Sequence, residues 1–299
     1  MGHAIETLNL TKVYRRGKEA VNDLSLEVPE GSVYVLLGRN GAGKTSTIMM
    51  LMGLLQKTSG YIRVLGLDPD KAPVELKRRV GFVADNQRMY GWMTVDEIIG
   101  FCRSFYPTWD DTFTGELLRL FELPRKVRLR DMSRGMYGKV ALLLGLAHRP
   151  ELLILDDPTS GLDPVVRREF MHGVIEAVQR QHCTVFFSTH IVDEAEQVAD
   201  WVGIIDDGRL VLSQPVEQAK EAVKRIQVVF DDAVPEKVVL PGLLESRAAG
   251  RELMLTVRDF TPETVKAVSR YNPLSVEVLD QCLEDVFVAL VKKTVGETL

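Results

Sequence analysis

The chain of 299 residues has only three cysteines, Cys102, Cys183 and Cys282, far apart and with no CxxC pair. That scarcity excludes a disulfide framework and a cysteine-built zinc site, and it fits a reducing compartment. Long apolar runs are also missing. The longest, "VYVLLG" and "VALLLGLA", fall well short of the roughly 20 residues a bilayer span needs. The opening "MGHAIETLNL" has no basic segment leading into an apolar one, so no secretory leader is expected. There is no basic arm or stripe either. The net charge is −5, and the short clusters "KRR" (77–79) and "RKVRLR" (125–130) read as solvated faces or loops. Nucleic acid is therefore not an expected partner. What remains is ordinary globular material, 45% hydrophobic and 26% charged, long enough for one large α/β domain with or without a smaller one.

Apolar patterning supplies the layout. Residues 4–10 and 24–28 alternate as half-exposed strands do, whereas "SVYVLLG" (32–38) is a continuous apolar run of the kind covered on both faces. A helix is expected from Lys44 to Leu55, then strands near 61–65 and 80–84. From about 94 to 148 the character is helical, with Thr94 as N-cap and Glu97 as its capping-box partner. Strands return at 152–156 and 184–189 around a helix over about 164–181. This alternation predicts a parallel sheet with right-handed crossovers. After about residue 218 come three short alternating strands, "RIQVVF", "ELMLTV" and "SVEVLD", with helices at 261–270 and 281–292.

The strongest chemical signal is "GRNGAGKT", Gly38, Arg39, Asn40, Gly41, Ala42, Gly43, Lys44 and Thr45, which satisfies GxxxxGK[ST] between an apolar strand and a helix. Its glycines let successive N–H groups turn inward around phosphates at a helix N-terminus. Lys44 can reach the β- and γ-phosphates, and the Thr45 hydroxyl can ligate Mg²⁺. Ser46 follows in the same nucleotide-binding set. Further on, "LLILDDPTSGLDP" (152–164) is a buried strand ending in two adjacent carboxylates.

Further motifs follow in a fixed order: Tyr14, the phosphate loop, "SRGM" (133–136), "LLILDD", "SGLD" (160–163) and "STH" ending at His190. In that order and spacing, residues 4–217 resemble the ATP-binding-cassette (ABC) ATPases. The resemblance implies an α/β P-loop NTPase fold: a RecA-like parallel core, an antiparallel β subdomain and a helical subdomain at about 86–150 within residues 1–217, then a small α+β domain over 218–299. It implies that Tyr14 stacks on adenine, that Asp156 holds Mg²⁺, and that His190 senses the γ-phosphate. Ser133 and Gly135 would reach, across a dimer interface, the γ-phosphate held by the other subunit, and Asp163 would make a D-loop contact there. ATP and Mg²⁺ are the implied cofactors.

The chain departs from the family pattern at three places. Arg134 and Met136 replace a glycine and the glutamine of the signature. At the Q-loop the matching position is Asp85, expected to touch nucleotide and metal, with Gln87 two residues on as the alternative. Asp157 stands where the family has a catalytic glutamate. One methylene shorter, its oxygens would sit roughly 1–1.5 Å back, and a misplacement of about 1 Å can cost on the order of 10²-fold in rate. Two readings stay open here: the backbone moves closer and hydrolysis continues, with Asp157, His190 and Lys44 as catalytic groups, or the subunit binds ATP and turns it over slowly.

The piece over 218–299, with its closing "LEDVFVALV", resembles the extension of exporter-type ABC subunits. The expected function is thus the ATP-binding, ATP-hydrolysing subunit of an ABC transporter, an exporter, peripheral on the inner, cytoplasmic face of the membrane. Its expected partners are a separate membrane-spanning permease chain, met through the helical region and "RMYGWM" (88–93), and a second cassette, a copy or a paralogue. A catalytically weak partner subunit and a soluble non-transport ABC protein are the alternatives.

Overall fold

The computed structural model describes residues 2–15, 17–85, 87–179 and 183–291. They divide into two compact units, Met1–Leu210 and Val211–Leu299. The expected helix over 164–181 is found as Pro164–Gln179, and its last two residues lie outside the described ones. Residue 292 of the expected C-terminal helix does so too.

The first unit begins with a three-stranded antiparallel sheet of β1 (His3–Val13), β2 (Glu19–Pro29) and β4 (Ser59–Val64), in the order β2-β1-β4. Its alternating strands bury Ile5, Leu10, Leu24, Leu26 and Val28 and leave the other face polar. Between β2 and β4 the chain forms β3 (Val33–Leu37) and α1 (Lys44–Leu51). The helix is shorter than its composition predicts, because Gly53 takes φ +64° and the amides of Leu54 and Leu55 both turn back to the Met49 carbonyl.

Strand β3 lies inside a second sheet, of order β5-β6-β7-β3-β8-β9, built from β5 (Val80–Val83), β6 (Leu152–Asp156), β7 (Thr184–Thr189), β8 (Trp201–Asp206) and β9 (Arg209–Pro215). The strands from β5 to β8 pair in parallel, as the alternation of strands and helices predicts. Every residue of β6 and β7 is buried, which explains their unbroken apolar runs. Register brings Asp156 opposite Ser188 and Leu37 opposite Thr189. The carboxyl ends of β3, β6 and β7 therefore finish side by side, where open α/β sheets bind ligands.

The stretch after β5 is helical: α2 (Pro73–Arg79) precedes it, and α3 (Val95–Arg103), α4 (Asp111–Leu120) and α5 (Arg134–Leu146) follow. Thr94 caps α3 with the reciprocal Glu97 contacts that the sequence predicts. After β6 come α6 (Pro164–Gln179) and, beyond β7, α7 (Val192–Val198).

In the second unit, α8 (Val216–Ala222) leads into an antiparallel sheet of β10 (Lys224–Val229), β11 (Leu243–Ala249), β12 (Glu252–Val257) and β13 (Ser275–Leu279), in the order β11-β12-β10-β13. The sheet carries α9 (Pro262–Ser269) and α10 (Leu283–Val291), and Ile226, Val228, Leu253, Leu255 and Val257 form its core. The four strands exceed the three expected. Strand β11, "LLESRAA", sits at an edge and is exposed along its second half, so it shows no apolar alternation. The first unit likewise gains β8, α2 and α7, and β9 runs across the boundary at Leu210; the sequence reading foresaw none of these.

Candidate nucleotide-binding site

The turn from β3 into α1 is shaped by its glycines. Gly43 takes φ +111°, and a Cβ there would sit 2.3 Å from the Ala20 carbonyl oxygen. A side chain is sterically excluded, so the loop's amides can crowd together at the start of α1. This loop borders a pocket of about 260 Å³ lined by Tyr14, Asn40, Gly41, Gly43, Lys44, Thr45 and Ser46 on one side and by Asp85 and Asp157 on the other. Lys18 and Ala20, at the start of β2 and its hairpin, also line it. Sequence reasoning missed both; a lysine in a short β-hairpin carries no motif.

Lys44 is 6% exposed, and its Nζ donates to the carbonyls of Gly38 (2.8 Å) and Arg39 (3.2 Å). Burial lowers its pKa, while the charges of Asp157 and Asp156 hold it up. Ala42 is buried beneath the loop. Tyr14 is 41% exposed, and its hydroxyl is 3.2 Å from Ser46 Oγ. Lys12 Nζ lies 5.4 Å from the centre of its ring.

At the end of β6, Asp156 is 3% exposed, and its Oδ1 accepts from Ser188 Oγ (2.8 Å) and Thr45 Oγ1 (3.2 Å). Burial holds its carboxyl above the usual range. The Asp85 and Asp157 charges add to that, and the two hydroxyls oppose it. Hard oxygen donors converging on a hydroxyl at the loop fit a divalent cation, and Thr45, Asp156 and Asp85 are the residues that would hold it.

Asp157 takes φ +44°, a left-handed conformation that aspartate tolerates better than most residues. Its amide donates to both the carbonyl (3.1 Å) and the hydroxyl (3.2 Å) of Ser188, which pins the turn to β7. The side chain is then shared. Oδ2 lies 3.0 Å from His190 Nδ1, whereas Oδ1 is buried with no hydrogen-bond partner. A buried carboxylate oxygen without a hydrogen-bond partner is an acceptor in want of a proton donor.

Among the predicted site residues, Tyr14, the phosphate loop, Ser46, Asp85, Asp156, Asp157 and His190 are brought together. Gln87 lies elsewhere, in a neighbouring cleft with Met52, Phe82, Met89 and Tyr106, so the pocket takes Asp85 and not Gln87. Ser133, Gly135 and Asp163 do not line the pocket of their own chain. Ser133 is exposed and caps α5, its Oγ accepting from the Met136 amide at 3.2 Å. Asp163 Oδ1 accepts from the amides of Val165 and Val166 (both 3.1 Å) and caps α6. Arg134 lays its guanidinium over Gly161, where an added Cβ would meet Nη1 at 2.1 Å.

The family model described as "ABC transporter" matches residues 21–160. The bacitracin transport ATP-binding protein BcrA of Bacillus licheniformis is 36% identical over 223 residues, 74% of this chain and 72% of that protein. The chain belongs to the ABC transporter family. It is an ATP-binding and ATP-hydrolysing subunit that powers transport. The daunorubicin/doxorubicin resistance ATP-binding protein DrrA of Streptomyces peucetius is 35% identical over 225 residues, 74% of this chain and 68% of the relative. Among solved structures, cbiO1 of Clostridium perfringens, part of the ABC transporter complex cbiONQ, aligns with a TM-score of 0.64 at 25% identity. That alignment covers 72% of this ABC subunit and 89% of cbiO1. Among the described residues, no helix is long and apolar enough to cross a membrane.

Proposed function

We propose that this subunit holds Mg²⁺-ATP between the loop at 38–46 and the ends of β6 and β7, and that two cassettes pair head to tail around the nucleotide. The observation that carries the pairing is the split of the motif residues. The pocket gathers Lys44, Thr45, Asp85 and Asp157, while Ser133, Gly135 and Asp163 stand away from it. Ser133, exposed at a helix N-terminus, is disposed to meet the γ-phosphate of a second chain. Each composite site then draws its phosphate loop from one cassette and its signature from the other.

In the catalytic step Asp157 Oδ1 takes a proton from the attacking water as the bond between the γ-phosphorus and the departing ADP oxygen breaks. His190 anchors the carboxylate through Oδ2 and presents its other ring nitrogen to the γ-phosphate. Lys44 neutralises the phosphate oxygens. The cation held by Thr45, Asp156 and Asp85 supplies charge stabilisation when bound.

We read the cassette as 1–217, and the α+β extension at 218–299 supports an exporter subunit. The printed association of the related DrrA with drug resistance agrees with that direction. It works on the cytoplasmic face against a separate permease. The docking surface on this side is the exposed set Trp92, Tyr90, Phe101 and Phe105, in which Tyr90 meets both Trp92 and Phe101, and Phe101 meets Phe105. The shortened Asp157 favours one second reading, a slow partner that serves a more active paralogue.

Mixing two inactive variants tests the composite site. Lys44→Ala removes the phosphate-loop half and Ser133→Arg the signature half. A heterodimer of the two restores one intact site, so an equimolar mixture recovers about a quarter of wild-type turnover. A mixture as inert as its components would refute pairing between copies of this chain.

A further inference from the structure

A buried carboxylate outside the motifs ties the two catalytic loops together. Glu194, on α7, is 4% exposed. Its Oε1 accepts from the Thr159 hydroxyl at 2.5 Å, and its Oε2 accepts from the Thr189 hydroxyl at 2.7 Å. Both threonines are fully buried. Thr159 stands two residues beyond Asp157, and Thr189 immediately precedes His190. Thr189 Oγ1 also accepts from the Ile191 amide at 3.1 Å, so the hydroxyl is fixed from both sides. From α6, Arg167 Nε approaches Oε1 to 3.3 Å without hydrogen-bond alignment, and Arg167 Nη2 donates to the Leu162 carbonyl at 3.4 Å. One carboxylate thus joins the loop leaving β6, the start of α6 and the end of β7.

We propose that Glu194 is a positioning residue for hydrolysis: it fixes the spacing between Asp157 and His190. The proposal rests on the reading of those two residues as the acting pair. Burying a charge costs several kcal/mol, so the buried carboxylate is not explained by stability alone. What the carboxylate adds is geometry. Two oxygens in one rigid plane hold two hydroxyls on different loops at a set separation. The Asp157–His190 distance of 3.0 Å lies directly above that brace. A drift of about 1 Å between reacting groups costs on the order of 10²-fold in rate.

The test uses the full chain and measures kcat, KM for ATP and Tm. Glu194→Gln keeps the volume but replaces one acceptor oxygen by a donor. Its kcat is expected to fall by about 10- to 100-fold, with KM and Tm close to wild type. Thr189→Val should reproduce the loss, and Thr189→Ser, which keeps the hydroxyl, should restore turnover to within about threefold of wild type. If Glu194 acts through the pair, Glu194→Gln adds no further loss in a His190→Ala background. A role in stability alone would lower Tm and leave the effects additive. The proposal is overturned if Glu194→Gln or Thr189→Val turns over at the wild-type rate, or if the effects of Glu194→Gln and His190→Ala simply add. Asp157→Asn separates the two levels of inference. If that variant is slow while Glu194→Gln is not, only the brace falls; if Asp157→Asn itself is fully active, the acting pair falls and the brace with it.

Discussion

Replacing Asp157 by asparagine keeps the shape of the side chain and removes its ability to take a proton. In the structure Oδ2 is committed to His190 at 3.0 Å, so the buried, unpartnered Oδ1 is the oxygen left to receive the proton of water. A positioned general base contributes about 10²- to 10⁴-fold, or roughly 3–5 kcal/mol of barrier. Asp157→Asn should therefore lower kcat by at least about 100-fold, with the fold and the Tyr14 and phosphate-loop contacts intact. A secondary effect follows from Lys44. Asp157 is the larger of the two carboxylate charges that keep this buried lysine protonated. Its removal lowers the Lys44 pKa further, so KM for ATP should rise at alkaline pH in the variant before it does in wild type. The assay is steady-state phosphate release from the purified chain across pH, with nucleotide binding measured separately. Asp157→Glu tests the shorter side chain itself. The left-handed backbone at φ +44° and the completed bond to His190 fit an aspartate, so a longer side chain overshoots and slows turnover by about tenfold or more. Wild-type turnover in Asp157→Asn, or acceleration in Asp157→Glu, would refute this reasoning.

Two further outcomes follow from local geometry. Gly43→Ala drives a Cβ to 2.3 Å from the Ala20 carbonyl at φ +111°, which should destabilise the fold by about 3 kcal/mol and abolish ATP binding. Denaturant titration and nucleotide binding check it, and wild-type affinity in the variant would contradict the role of the loop. His148 is 1% exposed, stacks on Tyr106 at 4.1 Å, and leaves both ring nitrogens unpaired; the carbonyls of Val80 and Leu144 lie near without bonding geometry. Burial pushes its pKa down to about 4, so the folded state keeps it neutral where the unfolded chain takes up a proton. Stability should therefore be unaffected above pH of about 6.5 and fall by about 3 kcal/mol as pH drops towards 4. The same titration on His148→Phe should lose that part of the slope, and an unchanged slope would show that the ring is not buried as described.

Much of the cassette was legible because its motifs tie chemistry to backbone form. The phosphate loop demanded glycines between a strand and a helix, and both flanks are there. Two aspartates at the end of an all-apolar run demanded a buried strand opening onto a site. The capping box at Thr94 and Glu97 was readable from two side chains alone. The missed features share a cause: they depend on partners distant in sequence. Glu194 reads as one more charge in "VDEAEQV", and only folding sets it against Thr159 and Thr189, at separations of 35 and 5 residues. Lys18 reaches the pocket because a hairpin brings it back. Strand β11 has no alternation because it is an edge, so its pairing is decided by β12 and not by its own pattern.

The departures from the family pattern also act on one another. Asp85 sets a carboxylate where the family has a neutral amide, and it lines the pocket with Asp157, near the charge of Asp156, together with Lys18 and the buried Lys44. Burial raises the Asp156 carboxyl above its usual range, and the Asp85 and Asp157 charges add to that. A triphosphate entering such a pocket alone would meet that field unshielded, in a place where burial weakens screening by salt. On the proposed reading the divalent cation is therefore required for ATP to bind, and not merely for it to react. Arg134 lies on the other side of this balance. It lies over Gly161, in the turn between Asp157 and Asp163, and adjoins the signature serine in sequence. On the proposed pairing, the additional carboxylate in one half of the composite site would be answered by the additional guanidinium in the other half.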